Sequence, residues 1–213
     1  MKKLFSFLGV ALLATAFFSA CKPDEPKGGG DDNGTTTTTE TGVINGVKWA
    51  TRNIDAFGTF AAAPESIGMF YQWNRPKAWA ATGNITGWYN TTPIGTTWES
   101  SNNPCPAGWR VPTLAELQSL LDTDKVTSEW TTENGINGRR FTDKTTNKSI
   151  FLPAAGFRGS YGGALYDAGS GGYYWSSTES NSDGAYRLTF NSGSAGLSYS
   201  NKAHGFSVRC VAE

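Results

Sequence analysis

The sequence predicts an α+β fold: short antiparallel strands, one clear amphipathic helix and long ordered loops. Three observations predict it. The 213 residues hold 26 Gly beside 12 Phe, 8 Tyr and 8 Trp, the composition of tight turns around a core of rings. One segment alone carries an apolar stripe at helical spacing. The last third of the chain breaks into short alternating runs bounded by Gly, Asn and Ser.

The elements follow in chain order. Lys2 and Lys3 precede an apolar run from Leu4 to Phe18. That run is shorter than the ~20 residues of a membrane span. Ser19-Ala20-Cys21 closes it, so 1–20 reads as a secretory signal. Small residues before a cysteine resemble a bacterial lipobox, which implies that Cys21 is acylated and becomes the first mature residue. Residues 21–41 read as a tether. They combine Pro, Gly, Asp and a Thr run from Thr35 to Thr39, and cannot bury enough apolar area to offset the entropy of ordering. Asp24 and Glu25 resemble the acidic export signal of Bacteroides-group lipoproteins. That resemblance implies an outer-membrane, cell-surface address.

The folded domain is expected over 42–213. Asn45-Gly46 between Val43 and Val47 predicts a hairpin. Ile67 to Trp73 reads as a strand. Asn74 to Asn103 lacks periodicity and reads as a long ordered loop pinned by Trp79, Trp88, Tyr89 and Trp98. Thr113 followed by Glu116 forms the pattern of a capping box. Leu114, Leu117, Leu120 and Leu121 then share one face of the predicted helix. Ser149–Leu152, Gly171–Trp175, Tyr186–Phe190 and Phe206–Cys210 read as strands, the last pointing Phe206, Val208 and Cys210 inward.

Charge and residue counts limit the function. Lys plus Arg equals Asp plus Glu at 18 each, so no global field draws in nucleic acid. Outside Cys21 the cysteines are Cys105 and Cys210, which export would place in an oxidising compartment where a disulfide persists. The alternative is a pair of buried free thiols. The single histidine, His204, stands in a turn-like stretch without a nucleophile elbow, and too few ligands remain for zinc. Glu179 to Gly184 has part of a calcium-loop pattern, but Phe190 occupies the position of the closing Glu, so the stretch reads as a turn. No metal, cofactor or catalytic residue is expected.

Five pieces occur in a fixed order: Phe70-Tyr-Gln-Trp73, Cys105-Pro-Ala-Gly-Trp-Arg-Val-Pro-Thr113, Leu152-Pro-Ala-Ala-Gly156, Gly172-Tyr-Tyr-Trp-Ser-Ser-Thr178 and Ser207-Val-Arg-Cys-Val211. Together they resemble the Fibrobacter succinogenes major paralogous domain. Parts of them are also similar to the C-terminal domain of Legionella collagen-like adhesins. That relation implies a C-type-lectin-like fold in which the first and last strands pair and long loops carry binding. Trp109 and Trp175 are then expected in the core, with Arg110 and Arg209 as partners of buried carboxylates or carbonyls. The expected ligand-binding rings are Trp79, Trp88, Tyr89 and Trp98 in one loop and Tyr161 and Tyr166 in another. Asn90, Arg158 and Asp167 would supply polar contacts. The expected function is a lipid-anchored, adhesin-like surface module that recognises a glycan or an extracellular protein without catalysis. The alternative is a structural or tip subunit of a surface fibre.

Overall fold

The computed structural model describes residues 41–213. The expected signal segment, Cys21 and the tether up to residue 40 lie outside the described residues. The first strands are β1 (Thr41–Ile44), β2 (Val47–Ala50), β3 (Met69–Gln72), β4 (Ala78–Ala80) and β5 (Trp109–Arg110), followed by helix α1 (Leu114–Ser119). Next come β6 (Val126–Glu133), β7 (Ile136–Asp143), β8 (Ser149–Pro153), β9 (Phe157–Arg158) and β10 (Leu165–Tyr166). The last are β11 (Gly172–Asn181), β12 (Gly184–Phe190), β13 (Ala195–Asn201), β14 (Gly205–Phe206) and β15 (Val211–Ala212).

These strands form four antiparallel sheets, in the orders β1-β2-β15-β5, β10-β9-β14-β3-β4, β11-β12-β13 and β6-β7-β8. The fold is therefore β-rich, which corrects the α+β expectation and the lectin-like architecture attached to it. The helix is the reason. It is six residues long, and only Leu117 within it is buried. A helix under two turns has barely repaid its nucleation. Leu120 is buried from the C-cap position, after the helix has ended. The leucine stripe thus marks a capped turn leading into β6, not an amphipathic element.

Local chemistry accounts for the strands. Asn45 and Gly46 both take positive φ (47° and 80°), the geometry of a type I′ turn, and close the β1–β2 hairpin with Ile44 opposite Val47. Asn134 and Gly135 (46° and 82°) do the same between β6 and β7. The chain ends of the described region meet in one sheet, where Val211 pairs with both Trp49 and Arg110.

Three apolar clusters fill the interior. One gathers Trp49, Leu117, Phe141, Leu152, Tyr174, Leu188 and Phe190 beneath the first, third and fourth sheets. The second holds Tyr71, Trp73, Val111, Trp175, Phe206 and Val208 around the Cys105–Cys210 disulfide. The third is Phe70, Trp79, Ala81, Trp88 and Ala155. Phe206, Val208 and Cys210 are buried as expected, but Ser207 and Arg209 between them are equally buried, so the stretch does not alternate, and only Gly205–Phe206 and Val211–Ala212 belong to strands.

Candidate functional site

The long segment 74–103 is not a free loop. It contains β4, the 3-10 turn Ser100–Asn102, and a set of buried polar anchors. Asn74 sits at φ 54°; its Oδ1 accepts from the Glu99 amide (2.8 Å) and Asn102 Nδ2 (3.2 Å). Lys202 is fully buried, with Nζ donating to Gly95 O (2.8 Å), Ser182 O (3.1 Å) and Glu179 Oε1 (2.7 Å) while lying over the Trp73 ring. Gln72 Nε2 donates to the carbonyls of Tyr89 (2.7 Å) and Ala203 (2.8 Å).

Arg158 ties this segment to the 159–166 loop. Its buried guanidinium donates from Nε to Ala80 O (2.7 Å), from Nη1 to Gly163 O (2.8 Å), and from Nη2 to Thr82 O (3.0 Å) and Gly83 O (2.9 Å). All four partners are carbonyls, and burial lowers its pKa from the ordinary value. Such a cage holds two loops in one arrangement, because releasing either leaves a buried cation under-solvated. Arg158, expected as a ligand contact, is thus enclosed behind the loops it joins.

The same logic sorts the expected rings. Trp79 and Trp88 are 4% and 8% exposed and pack on each other at 4.8 Å. Trp88 Nε1 donates to Ser160 O, and a Cβ on Gly163 or Gly205 would come within 2.7 Å of the Trp88 ring. These two rings support the loop from inside. Trp98 is half buried, edge-on to Trp73, with Nε1 donating to Asn102 O. It lines a cavity of ≈ 250 Å³ with Ser100, Asn103, Arg110, Val111 and Ser177. The tyrosines face out: Tyr89 is 40% exposed, Tyr161 85% and Tyr166 51%.

The loops carrying Tyr89 and Tyr161 are fastened together. Asn90 Oδ1 accepts from the Gly162 amide at 2.8 Å, so each partner is the immediate neighbour of an exposed tyrosine. Arg75 and Lys77 lie 4.7 and 5.0 Å from the Tyr89 ring centroid, and Lys77 lies 4.0 Å from that of Trp79. Tyr166 stacks on Phe157 at 5.3 Å. Asp167, at φ 53°, accepts the Tyr173 hydroxyl, and burial with that contact raises the Tyr173 pKa to about 12. Arg75 and Lys77 carry a signal in the sequence, two cations flanking Pro76 beside the aromatic run, that a reading by rings alone does not weigh.

His204 stacks against Phe206 at 5.5 Å, and its Nδ1 lies 3.0 Å from Asn201 O. Burial, the larger effect, and nearby Arg187 lower its pKa, so it is neutral at pH 7.

The quoted pieces also fall into place. Trp175 is buried, with Nε1 donating to Tyr71 O. Arg110 pairs with Glu116, and Arg209 is buried against Asn53. The family model of the Fibrobacter succinogenes major domain matches residues 30–212. The chain belongs to that family. No curated protein and no solved structure matches the chain. The motifs of this Fibrobacter succinogenes major domain are therefore seen to build its core: Cys105 with Cys210, Trp175 with Tyr71, Arg209 with Asn53. The exposed tyrosines lie outside the motifs, Tyr89 and Tyr161 on loops, Tyr166 in β10 and Tyr199 in β13.

Proposed function

We propose that the protein is a lipid-anchored cell-surface binding module that recognises a glycan or an extracellular protein through Tyr89 and Tyr161. The observation that carries this reading is the pairing of exposed rings with a rigid support. Tyr89 and Tyr161 project from two loops joined by Asn90–Gly162, Trp88–Ser160 and the Arg158 cage. Tyrosine offers a large amphipathic face at low entropic cost, and loops already fastened at the backbone lose little freedom on binding. Arg75 and Lys77 beside Tyr89 add donors and positive charge to the same surface. A binding role, rather than a catalytic one, suits a surface built from tyrosines and cations. The apolar run ending at Cys21 supports the lipid anchor, and Asp24-Glu25 supports an outer-membrane, surface-exposed address.

The test displays the full chain, carrying Cys21→Ser to keep it in solution, to glycan and extracellular-protein arrays. At least one class of ligand is expected to bind. Tyr161→Ala should weaken it by about tenfold, the scale of one truncated contact ring. Stability should change by less than ~0.5 kcal/mol, because the ring is exposed. Silence on both arrays, or a Tyr89→Ala/Tyr161→Ala pair that binds as tightly as the parent, removes the proposal.

A further inference from the structure

The β11-β12-β13 sheet has one face in the first apolar cluster, through Tyr174, Leu188 and Phe190. Its other face is laid out by the ladder register. One row is Tyr173, Thr189 and Gly196; the next is Trp175, Arg187 and Ser198; then come Ala185 and Ser200. Trp175 and Ala185 are buried beneath the rest of the second cluster. Tyr173, Arg187, Thr189, Gly196, Ser198 and Ser200 remain partly exposed. A Cβ built on Gly196 meets nothing within 4 Å, so the space over this row is open. The result is a shelf three strands wide, roughly 10 Å across at the usual strand spacing.

Arg187 is the charge on this shelf. Its guanidinium lies 4.9 Å from the Tyr173 ring centroid and 5.4 Å from that of Phe206, and Nε donates to Ser200 Oγ at 2.8 Å. Nη1 is enclosed without a hydrogen-bond partner. Among the described residues no carboxylate pairs with Arg187, and Nη2 has no acceptor. Asp167 is engaged by the Tyr173 hydroxyl, and His204 beside Arg187 is neutral at pH 7. A part-buried guanidinium without an anion is costly; Nη1 is enclosed, so Nη2 is the donor that an arriving carboxylate would meet, and its charge would relieve that cost. Tyr173 backs the guanidinium from within, packed on Phe157 and Phe206, while the partly exposed Thr189, Ser198 and Ser200 hydroxyls offer hydrogen bonds beside it.

We propose that this shelf binds the carboxylate-bearing residue of an acidic saccharide, with Arg187 as its anion partner and the Thr189, Ser198 and Ser200 hydroxyls bonding the sugar hydroxyls over the open space at Gly196. The inference rests on the binding role argued above and names the ligand's chemistry. Phe157 links the two regions: Tyr166 stacks on one side of it, and Tyr173 lies 4.7 Å from it.

The full chain with Cys21→Ser is titrated calorimetrically with trigalacturonate and, separately, with neutral galactotriose. The acidic trisaccharide should bind at least about tenfold more tightly at low salt, the scale of one charge-assisted hydrogen bond, and the gap should narrow in 0.5 M NaCl, a concentration of roughly 4 Å Debye length. Arg187→Gln should erase the preference. Because removing Arg187 also alters the packing under it, Gly196→Phe serves as the second variant. It fills open space, leaves Arg187 and Ser200 in place, and should also erase the preference. Tyr161→Ala should leave the acid-to-neutral ratio unchanged. Equal binding of the two trisaccharides, or a Gly196→Phe protein that keeps the preference, overturns the inference and leaves the binding role standing. Failure of both to bind overturns it as well, while the binding role stands or falls on the arrays.

Discussion

Arg209 shows how one buried side chain can hold several elements. Its guanidinium donates to Asn53 Oδ1 from Nε (3.0 Å) and Nη2 (2.7 Å), to Ala50 O from Nη1 (3.2 Å) and to Phe151 O from Nη2 (3.0 Å). Asn53 passes the network on, donating to Ile67 O and the Tyr174 hydroxyl. Burial brings the Arg209 pKa down to about 10, still well above neutrality, so the charge is kept. All the hydrogen-bond partners are neutral, and they come from β2, β8 and the segment between β2 and β3. Arg209→Met would fill similar volume yet strand Asn53 Oδ1 and two carbonyls. At ~1–3 kcal/mol for each orphaned group, partly relieved by relaxation, the expected loss is about 3–5 kcal/mol. Urea denaturation checks this; a midpoint shift worth less than ~1 kcal/mol would mean that these acceptors find other donors.

At the scale of elements, α1 is held by its cap more than by its length. Thr113 Oγ1 accepts from the Glu116 amide (3.3 Å), Glu116 Oε2 accepts from the Thr113 amide (2.8 Å), and Arg110 grips the same carboxylate at 2.8 and 2.7 Å. Burial pushes the Glu116 carboxyl up, but the Arg110 and Thr113 hydrogen bonds outweigh it and hold the pKa below 4.5. A lowered folded pKa means stability that is present above the ordinary carboxylate value and lost as pH falls through the folded one. Glu116→Gln should therefore cost about 1 kcal/mol at pH 7, with the difference shrinking below pH 4.5. Paired urea curves at pH 7 and pH 3 test it; a penalty independent of pH would exclude the carboxylate as its source. The cap was legible in the sequence because it is a contact between near neighbours. The length of the helix was not, since Leu120 and Leu121 keep helical spacing while the chain turns away. The β6–β7 hairpin carried at Asn134-Gly135 the same signal read at Asn45-Gly46, but Val126 is the one buried residue in β6, so no apolar alternation announced it. At the proposed site, composition marked two loops that the structure fastens together. It could not say which rings point inward, because Trp88 is buried by distant glycines, Gly163 and Gly205, that leave room for it.

At the scale of the whole molecule, the Cys105–Cys210 disulfide closes a span of 105 residues. It joins the segment before β5 to the residue that leads into β15, and β15 lies between β2 and β5. The bridge and that sheet thus fasten the first and last described strands to the chain's midpoint. Two consequences follow for the unfolded and native states. Without the bridge the denatured chain regains the freedom of a loop of about 100 residues, worth up to about 4.7 kcal/mol in the chain-entropy picture. The native frame would still carry Trp73, Trp175 and Phe206 around the site, so the fold should persist with lower stability rather than rearrange. Cys105→Ala/Cys210→Ala is therefore expected to lose roughly 3–5 kcal/mol by guanidinium denaturation while near-ultraviolet circular dichroism of the native protein stays close to the parent. Both cysteines are buried, so a thiol reductant should attack the parent no faster than it unfolds. A double variant within ~1 kcal/mol of the parent would show that the β2-β15-β5 pairing and the buried Arg209 network already hold the two halves together without the covalent link.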